Sequence, residues 1–346
     1  MSNVRRVQVF GLSAALALAG GVLAGCGSSS TSSASPPAAA AGGSVPSSVP
    51  PGTTLRVADQ LNFLETALST GQQNTNFPYT VKYSTFLGGP PMLQAFQAGA
   101  VDIGFVADTP LIFAQAAKQN VVGVAAWAPQ ASTFGLVRAP GQHITGWASL
   151  KGKKVAYQQG TVLEAVLLQG LHSVGLSLKD VTPVNLPSTS IPQALESGSV
   201  PAAVLEQPLT GAYIAKAPGA KQVTTENDIT DRTDFIIASK SALSNPAKEA
   251  AIADYIQRLQ KAYGYIDAHP TQWAEAYYVK QYKLPLAGGL QLIKIAGKTS
   301  FLPLPGNLVA PQQALADLYT DAGEIPGKLN VAGEFDGRFN SVLKAS

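Results

Sequence analysis

Two short turns in this chain set a carboxylate, a polar side chain and a proline in a row: Asp108-Thr109-Pro110 and Glu206-Gln207-Pro208. Each follows an apolar run, residues 103–107 and 202–205, and each run follows a copy of one nine-residue pattern. The copies are Gln94-Ala95-Phe96-Gln97-Ala98-Gly99-Ala100-Val101-Asp102 and Gln193-Ala194-Leu195-Glu196-Ser197-Gly198-Ser199-Val200-Pro201, identical at four positions. Each unit reads as a helix stopped by Gly, a buried strand, and a new helix with Pro in its first turn. A helix's first turn holds N–H groups without intrahelical partners, and the helix dipole makes that end positive. The chemistry on offer is capture of an anion by main-chain donors rather than bond breaking.

Two more turns offer the same chemistry. At Gly88-Gly89-Pro90-Pro91 the glycines let backbone approach a ligand and the prolines start a helix; a plain tight turn is the alternative. At Gly160-Thr161-Val162 a strand ends and a helix opens with a hydroxyl at the junction. Thr109 and Thr161 either cap their helices or turn their hydroxyls toward a ligand, whereas Gln207 is a poor cap. A carboxylate at Glu206 repels a bare anion and attracts an ammonium. Asp108 adds to that pull or simply favours a helix start. Gln60 and Asn62, after the first strand, reach the cleft or begin a helix. Gln130 and Thr133 are candidates for its floor, and Asp234, at a joining segment, completes the set. Trp127 is assigned to core, Trp147 to a lobe edge, and Tyr277, Tyr278 and Tyr282 to a packing surface.

Residues of this kind need a frame of alternating elements. Strand candidates at 55–58, 81–84, 103–106, 121–126, 154–157, 181–185 and 202–205 alternate with helix candidates at 61–69, 91–98, 110–119, 162–174, 191–197 and 209–217. That order argues for α/β layers with mostly parallel sheets. After residue 245 helices dominate: 246–268, 271–283, 286–296 and 312–322. Two extended segments, 134–137 and 235–238, are expected to join two sheets. A ligand site then falls in the cleft between two lobes, with the joining segments as hinges.

The amino terminus predicts an address. Arg5 and Arg6 precede an apolar run that ends in Leu23-Ala24-Gly25-Cys26, the pattern of a secretory signal. That ending is similar to the bacterial lipobox, in which the Cys becomes the lipidated first residue; it is also the chain's single Cys. Residues 1–25 are therefore expected as a signal peptide and 26–52 as a tether from lipidated Cys26. The tether is uncharged and rich in Ser, Ala, Pro and Gly, with a reach of roughly 25–30 Å. Without Arg5 and Arg6 the balance is 22 basic to 21 acidic groups. No basic stripe points to nucleic acid. A single Cys and three scattered His, His143, His172 and His269, lack metal-ligand spacing and nucleophile patterns, so no metal, cofactor or catalytic site is expected.

Several segments together resemble a known family. Phe86-Leu87-Gly88-Gly89-Pro90-Pro91-Met92-Leu93-Gln94-Ala95 is similar to the Gly-Pro-Pro motif of periplasmic sulfonate, taurine and nitrate-type binding proteins of ABC importers. Asp102-Ile103-Gly104, Asp108-Thr109-Pro110, Ser149-Leu150-Lys151-Gly152-Lys153-Lys154-Val155, Asp234-Phe235-Ile236-Ile237-Ala238-Ser239 and Gly323-Glu324-Ile325-Pro326 continue the match. The resemblance implies a two-lobed type II periplasmic binding protein fold, each lobe a mixed, mostly parallel sheet flanked by helices and joined by two crossovers. Residues 53–137 with 235–346 are expected as the first lobe and 138–234 as the second.

The implied function is solute capture for an ABC permease by a lipid-anchored monomer outside the cell membrane. The implied ligand is a small organic anion, an aliphatic sulfonate or taurine-like, with an amino end where Glu206 asks for one. Nitrate, a pyrimidine-like heterocycle, or service to a sensor are the alternatives. Related pyrimidine-synthesis enzymes of this fold use a Cys-rich motif that is missing here. Departures from the family fall on expected ligand positions. Asp59-Gln60-Leu61-Asn62-Phe63 stands for a Gly-rich or aromatic stretch, Glu206-Gln207-Pro208 for Trp-Asp-Pro, and Gly160-Thr161-Val162 for Gly-Ser-Ser.

Overall fold

The computed structural model describes residues 45–131, 133–223 and 233–343, which fall within the contact unit Ala39–Ser346. The signal segment, Cys26 and the tether up to residue 44 lie outside the described residues. Val45 and Val49 pack against the first core, so residues read as tether, before Thr53, already belong to the folded body. No helix among the described residues is long and apolar enough to cross a membrane.

In chain order the strands are β1 (Thr54–Gln60), β2 (Thr80–Phe86), β3 (Ile103–Ala107), β4 (Val121–Ala128), β5 (Phe134–Arg138), β6 (Lys154–Tyr157), β7 (Thr182–Asn185), β8 (Ala202–Glu206), β9 (Lys221–Val223), β10 (Asp234–Ser239) and β11 (Ser300–Leu302). The helices are α1 (Phe63–Thr70), α2 (Gly89–Gln97), α3 (Asp108–Ala116), α4 (Val162–Ser173), α5 (Ile191–Glu196), α6 (Leu209–Lys216), α7 (Lys240–Leu243), α8 (Pro246–Ala268), α9 (Pro270–Trp273), α10 (Lys280–Tyr282), α11 (Leu286–Ala296) and α12 (Val309–Ala322). A π-helical turn, Ala274–Val279, joins α9 to α10.

The strands form a six-stranded sheet, β11-β4-β10-β3-β1-β2, and a five-stranded sheet, β7-β6-β8-β5-β9. Setting aside edge strand β11, the sheets match position by position, with β3 against β8 and β10 against β5. β1 is parallel to β2 and β3, and β6 to β7 and β8. β10 runs antiparallel to β3 and β4, and β5 antiparallel to β8 and β9. The reversed strand of each sheet is the one that has just arrived from the other. The nine-residue copies occupy the corresponding helix–strand junctions, α2 to β3 and α5 to β8. Gly99 (φ 66°) and Gly198 (φ 70°) stop the two helices in the left-handed region that Gly adopts without a Cβ penalty.

The two segments expected as joints are strands instead. Residues 134–137 pair within the second sheet, and 235–238 pair on both sides within the first. Their apolar side chains are largely buried, and buried N–H and C=O groups need ladder partners that a bare hinge does not provide. β4 and β5, like β9 and β10, are consecutive strands of different sheets, and residues 134–137 belong with the second sheet. Trp147 is not at an edge. It is buried in the second core, where its indole fills the space beside Gly170 that a Cβ would occupy.

Each sheet has its own apolar core, and a third cluster fills the other face of the first sheet. A fourth cluster joins them: Ile112 of α3, Ala165 and Leu168 of α4, and Leu315, Ala316 and Tyr319 of α12. The second-sheet helix α4 is thus packed against the first-sheet helices α3 and α12.

Candidate functional site

A cavity of about 240 Å³ opens where the carboxyl ends of the strands from both sheets meet, the place where α/β sheets generally bind ligands. From the first sheet come Gln60 and Leu61 at the end of β1, Phe105 and Ala107 of β3, and Trp127 of β4. The α2 start adds Leu87, Gly88 and Gly89. From the second sheet come Gln158, Thr161, Val162 and Leu163 around the α4 start, Ser188 and Thr189, and Glu206, Gln207 and Pro208 after β8. Thr133, Phe134 and Asp234 line it beside the two passages between sheets.

Of the residues read as ligand-facing, Gln60, Gly88, Gly89, Thr161, Val162, Glu206, Gln207 and Asp234 line the cavity, and Asn62, Pro90, Asp108, Thr109, Gln130 and Gly160 do not. Asn62 stands in the left-handed region (φ 57°) beside Leu61 (φ 53°). Its Oδ1 accepts from Thr85 Oγ1 at 2.5 Å. Two successive non-glycine residues in that region are strained, and such strain clusters at ligand sites. Asp59 holds the strained corner, accepting from the Leu64 and Glu65 amides at 2.9 and 3.0 Å. Burial pushes its carboxyl up to about 6 against the pull of those bonds.

Asp108 and Thr109 are buried. The Thr109 amide and hydroxyl both donate to Asp108 Oδ1, at 2.6 and 3.2 Å. The Gln130 amide donates to Ala296 O at 2.8 Å, and its side chain lies beside Gly297. Gly160 and Pro90 face each other across the two lobes. A Cβ on Gly160 (φ 71°) would meet the Pro90 ring, and one on Gly88 (φ 101°) would meet the Gln158 amide. These glycines permit close approach between lobes, a role the ligand-centred reading did not assign.

The donors are also fewer than expected. Pro90 and Pro91 have no N–H, so the first turn of α2 contributes less than a proline-free start. The Thr161 hydroxyl accepts from the Leu163 amide at 3.2 Å and donates to Gln158 O at 2.7 Å, which is capping geometry. Gln207, read as a poor cap, accepts from the Gly211 amide at 3.0 Å. It reaches forward into α6 because Pro208, not Gln207, is the residue that precedes the helix. Gln60 Nε2 donates to Phe105 O at 2.8 Å.

The charged residues among the described lining are Glu206, Asp234 and Asp267, and none is Lys, Arg or His. Arg232, two residues before Asp234, lies outside the described residues. Burial raises the Asp267 carboxyl above its ordinary value, partly offset by the Thr299 amide.

The sequence reading missed one whole wall. Phe63, Tyr263, Trp273, Tyr277, Tyr278 and Tyr282 line the cavity, yet the three neighbouring tyrosines were assigned to packing. They do pack, as rings against rings, and their remaining faces border the cavity. Trp127 likewise serves both core and cavity. Aromatic residues on a helix look alike in sequence whether they face a core or a ligand. The spacing 273, 277, 278, 282 was the available signal, because it does not follow an α-helical stripe.

Comparison with known proteins follows the same outline. The family model described as "NMT1/THI5 like" matches residues 89–273, just over half of the chain. A protein of Escherichia coli (strain K12), named for binding aliphatic sulfonates, is 28% identical over 254 residues, 72% of this chain and 77% of that protein. The crystal structure of the periplasmic aliphatic sulphonate binding protein SsuA from Escherichia coli superposes with a TM-score of 0.70 at 25% identity, covering 83% of this chain and 98% of that one. The alkanesulfonate-binding protein SsuA from Xanthomonas axonopodis pv. citri, bound to MOPS, gives 0.74 at 24% identity, covering 83% and 99%.

Proposed function

This chain belongs to the NMT1/THI5-like family, and on that premise we propose that it is the solute-binding component of an ABC importer. It captures a small organic anion of the sulfonate class in the cleft between its lobes and delivers it to a permease. The observation that carries this reading is the shared cavity: strand ends of both sheets line it, so one ligand can bridge the two lobes. Ligand contacts made from both lobes favour the closed arrangement over the open one, and a permease that docks only the closed arrangement couples binding to transport. A secretory signal at residues 1–25 and a lipid on Cys26 would hold the protein, as a monomer, outside the membrane.

A thermal-shift screen tests the reading with taurine, alkyl and aryl sulfonates, nitrate and amino-pyrimidines. A ligand at a hundredfold excess over its Kd stabilises by about 2.7 kcal/mol. Sulfonates should raise the midpoint; no shift with any anion would sink the anion reading. Release of the Cys26→Ser protein into the medium, against membrane retention of the wild type, tests the anchor.

A further inference from the structure

We propose that the aromatic wall is a ring-binding surface, so that the solute carries a flat aromatic group, and that the π-helical turn Ala274–Val279 is the device that assembles it. This rests on the solute-binding reading above and narrows its substrate class from organic anions in general to ring-bearing ones.

The argument begins with spacing. An α-helix turns about 100° per residue. Measured from Trp273, an unbroken α-helix would turn Tyr277 by about 40°, Tyr278 by about 140° and Tyr282 by about 180°. Two of the four rings would then face away from the first. A π-turn closes its hydrogen bonds one residue later and so holds more residues per turn, and such turns are frequent at functional sites. Here it lies between Trp273 and Tyr282 and takes up the mismatch. The Trp273 and Tyr277 rings are parallel to within 5°, with centroids 4.7 Å apart. Tyr278 and Tyr282 stand edge-on to Tyr277 at 5.5 and 5.4 Å. All four line the cavity, and Phe63 extends the patch at 5.2 Å from Tyr277.

The turn is held from behind. Gly289 of α11 comes so close that a Cβ there would lie 3.0 Å from Tyr278 Cβ and 3.3 Å from Ala274 Cβ. Trp273 and Tyr277 are buried, while Tyr278 and Tyr282 are half-buried. The inner pair therefore forms a base, and the outer pair offers ring surface to the cavity. Offset-stacked and edge-to-face geometries, which such a corner provides, are those that aromatic rings prefer. Size agrees: an apolar cavity of about 150 Å³ holds a benzene molecule, and this one, at about 240 Å³, has room for a ring and a compact head group.

The test is calorimetric titration of the full chain with three matched pairs: benzenesulfonate and butanesulfonate, benzoate and pentanoate, benzylammonium and butylammonium. In every pair whose head group binds, the ring-bearing member should bind at least tenfold tighter. Tyr278→Leu and Tyr282→Leu, which keep apolar bulk, should reduce that preference to less than threefold, with unfolding midpoints recorded to show that both variants fold. In the wild type, quenching of tryptophan emission by benzenesulfonate and not by butanesulfonate is the accompanying sign, and it should weaken in Trp273→Phe, leaving the share of Trp127, which lines the same cavity. Equal affinity within each pair, or no binding by any ring-bearing probe, overturns the inference. Equal binding of both sulfonates does so while the solute-binding reading stands. Binding confined to the ammonium pair sinks the anion reading and leaves the ring preference to be judged on that pair.

Discussion

The Tyr319 hydroxyl donates to Thr109 Oγ1 across 3.1 Å, in a pocket from which water is excluded. This bond ties α12 to the first turn of α3, and it uses the hydroxyl that the sequence offered to a ligand. Thr109→Val should cost about 1–3 kcal/mol, because it leaves a buried donor unsatisfied. Ligand affinity should stay within about twofold of wild type. Denaturant unfolding and calorimetric titration check both halves. A large affinity loss with an unchanged midpoint would instead put Thr109 in the site.

Glu164 and Glu334 predict how stability varies with pH. Burial pushes both carboxyls up to about 8 from an ordinary 4.5, against the Gly160 amide that donates to Glu164 and the Gln312 side chain that donates to Glu334. Glu324 adds to the rise at Glu164, and Asp108 to that at Glu334. A raised folded value means that the folded chain keeps its proton between about 4.5 and 8 while the unfolded chain has released it. The resulting stability is complete below 4.5 and is lost as pH rises through about 8. Glu164→Gln keeps the shape and cannot ionise, so it should flatten that decline by the order of 1–3 kcal/mol at pH 9 and change little at pH 5. Unfolding midpoints across this range decide it; parallel curves for the two proteins would refute it.

What the sequence showed follows from which signals are local. The doubled pattern 94–102 and 193–201 marked corresponding junctions because a Gly stop and a fully apolar strand leave little choice of structure. The cleft position of Gln60, Gly88, Thr161 and Glu206 was legible because strand ends in such sheets open toward one edge. Thr109 was misplaced because a hydroxyl at a helix start looks the same whether it faces a ligand or, as here, Tyr319 of α12. The wall of Trp273 to Tyr282 was hidden twice over. Its hydrophobicity suggested core, and its face exists only once the π-turn has formed.

Asp102 predicts a stability effect without a binding effect. It closes the first nine-residue copy, where the second copy has Pro201. Its buried carboxylate accepts from Arg56 Nη2 at 2.6 Å and Lys248 Nζ at 2.7 Å, and so joins β1 to α8. Burial alone would raise its pKa, but the bonds from Arg56 and Lys248 outweigh that and hold it below the usual carboxylate range. Asp102→Ala should cost about 2–3 kcal/mol, less than the 3–5 of a wholly buried pair, because both cations retain access to water. The contribution should be present at neutral pH and be lost as pH falls below the ordinary Asp value. In unfolding measurements, the stability difference between wild type and variant should be full at pH 7 and shrink progressively as pH falls below the ordinary Asp value, with solute affinity at pH 7 unchanged.

Glu206 is the site residue whose replacement should change ligand preference rather than fold. It closes β8, lines the cavity and is half-buried. It also lies near enough to the aromatic wall to contribute, after burial, to the rise of Tyr282 to about 12. A carboxylate there repels a plain sulfonate and attracts a solute whose other end carries an ammonium. Glu206→Gln keeps the size and a hydrogen-bond acceptor but removes the charge. Loss of a charged hydrogen bond costs about 1.5–3 kcal/mol, roughly 10- to 150-fold in affinity. Amino-sulfonates should therefore weaken by that factor, while sulfonates without an amine bind as well as before or better. Titration of both ligand types against both proteins measures the difference directly. If every ligand that binds keeps its affinity in the variant, Glu206 is a charge at the cavity rim and the preference is set elsewhere.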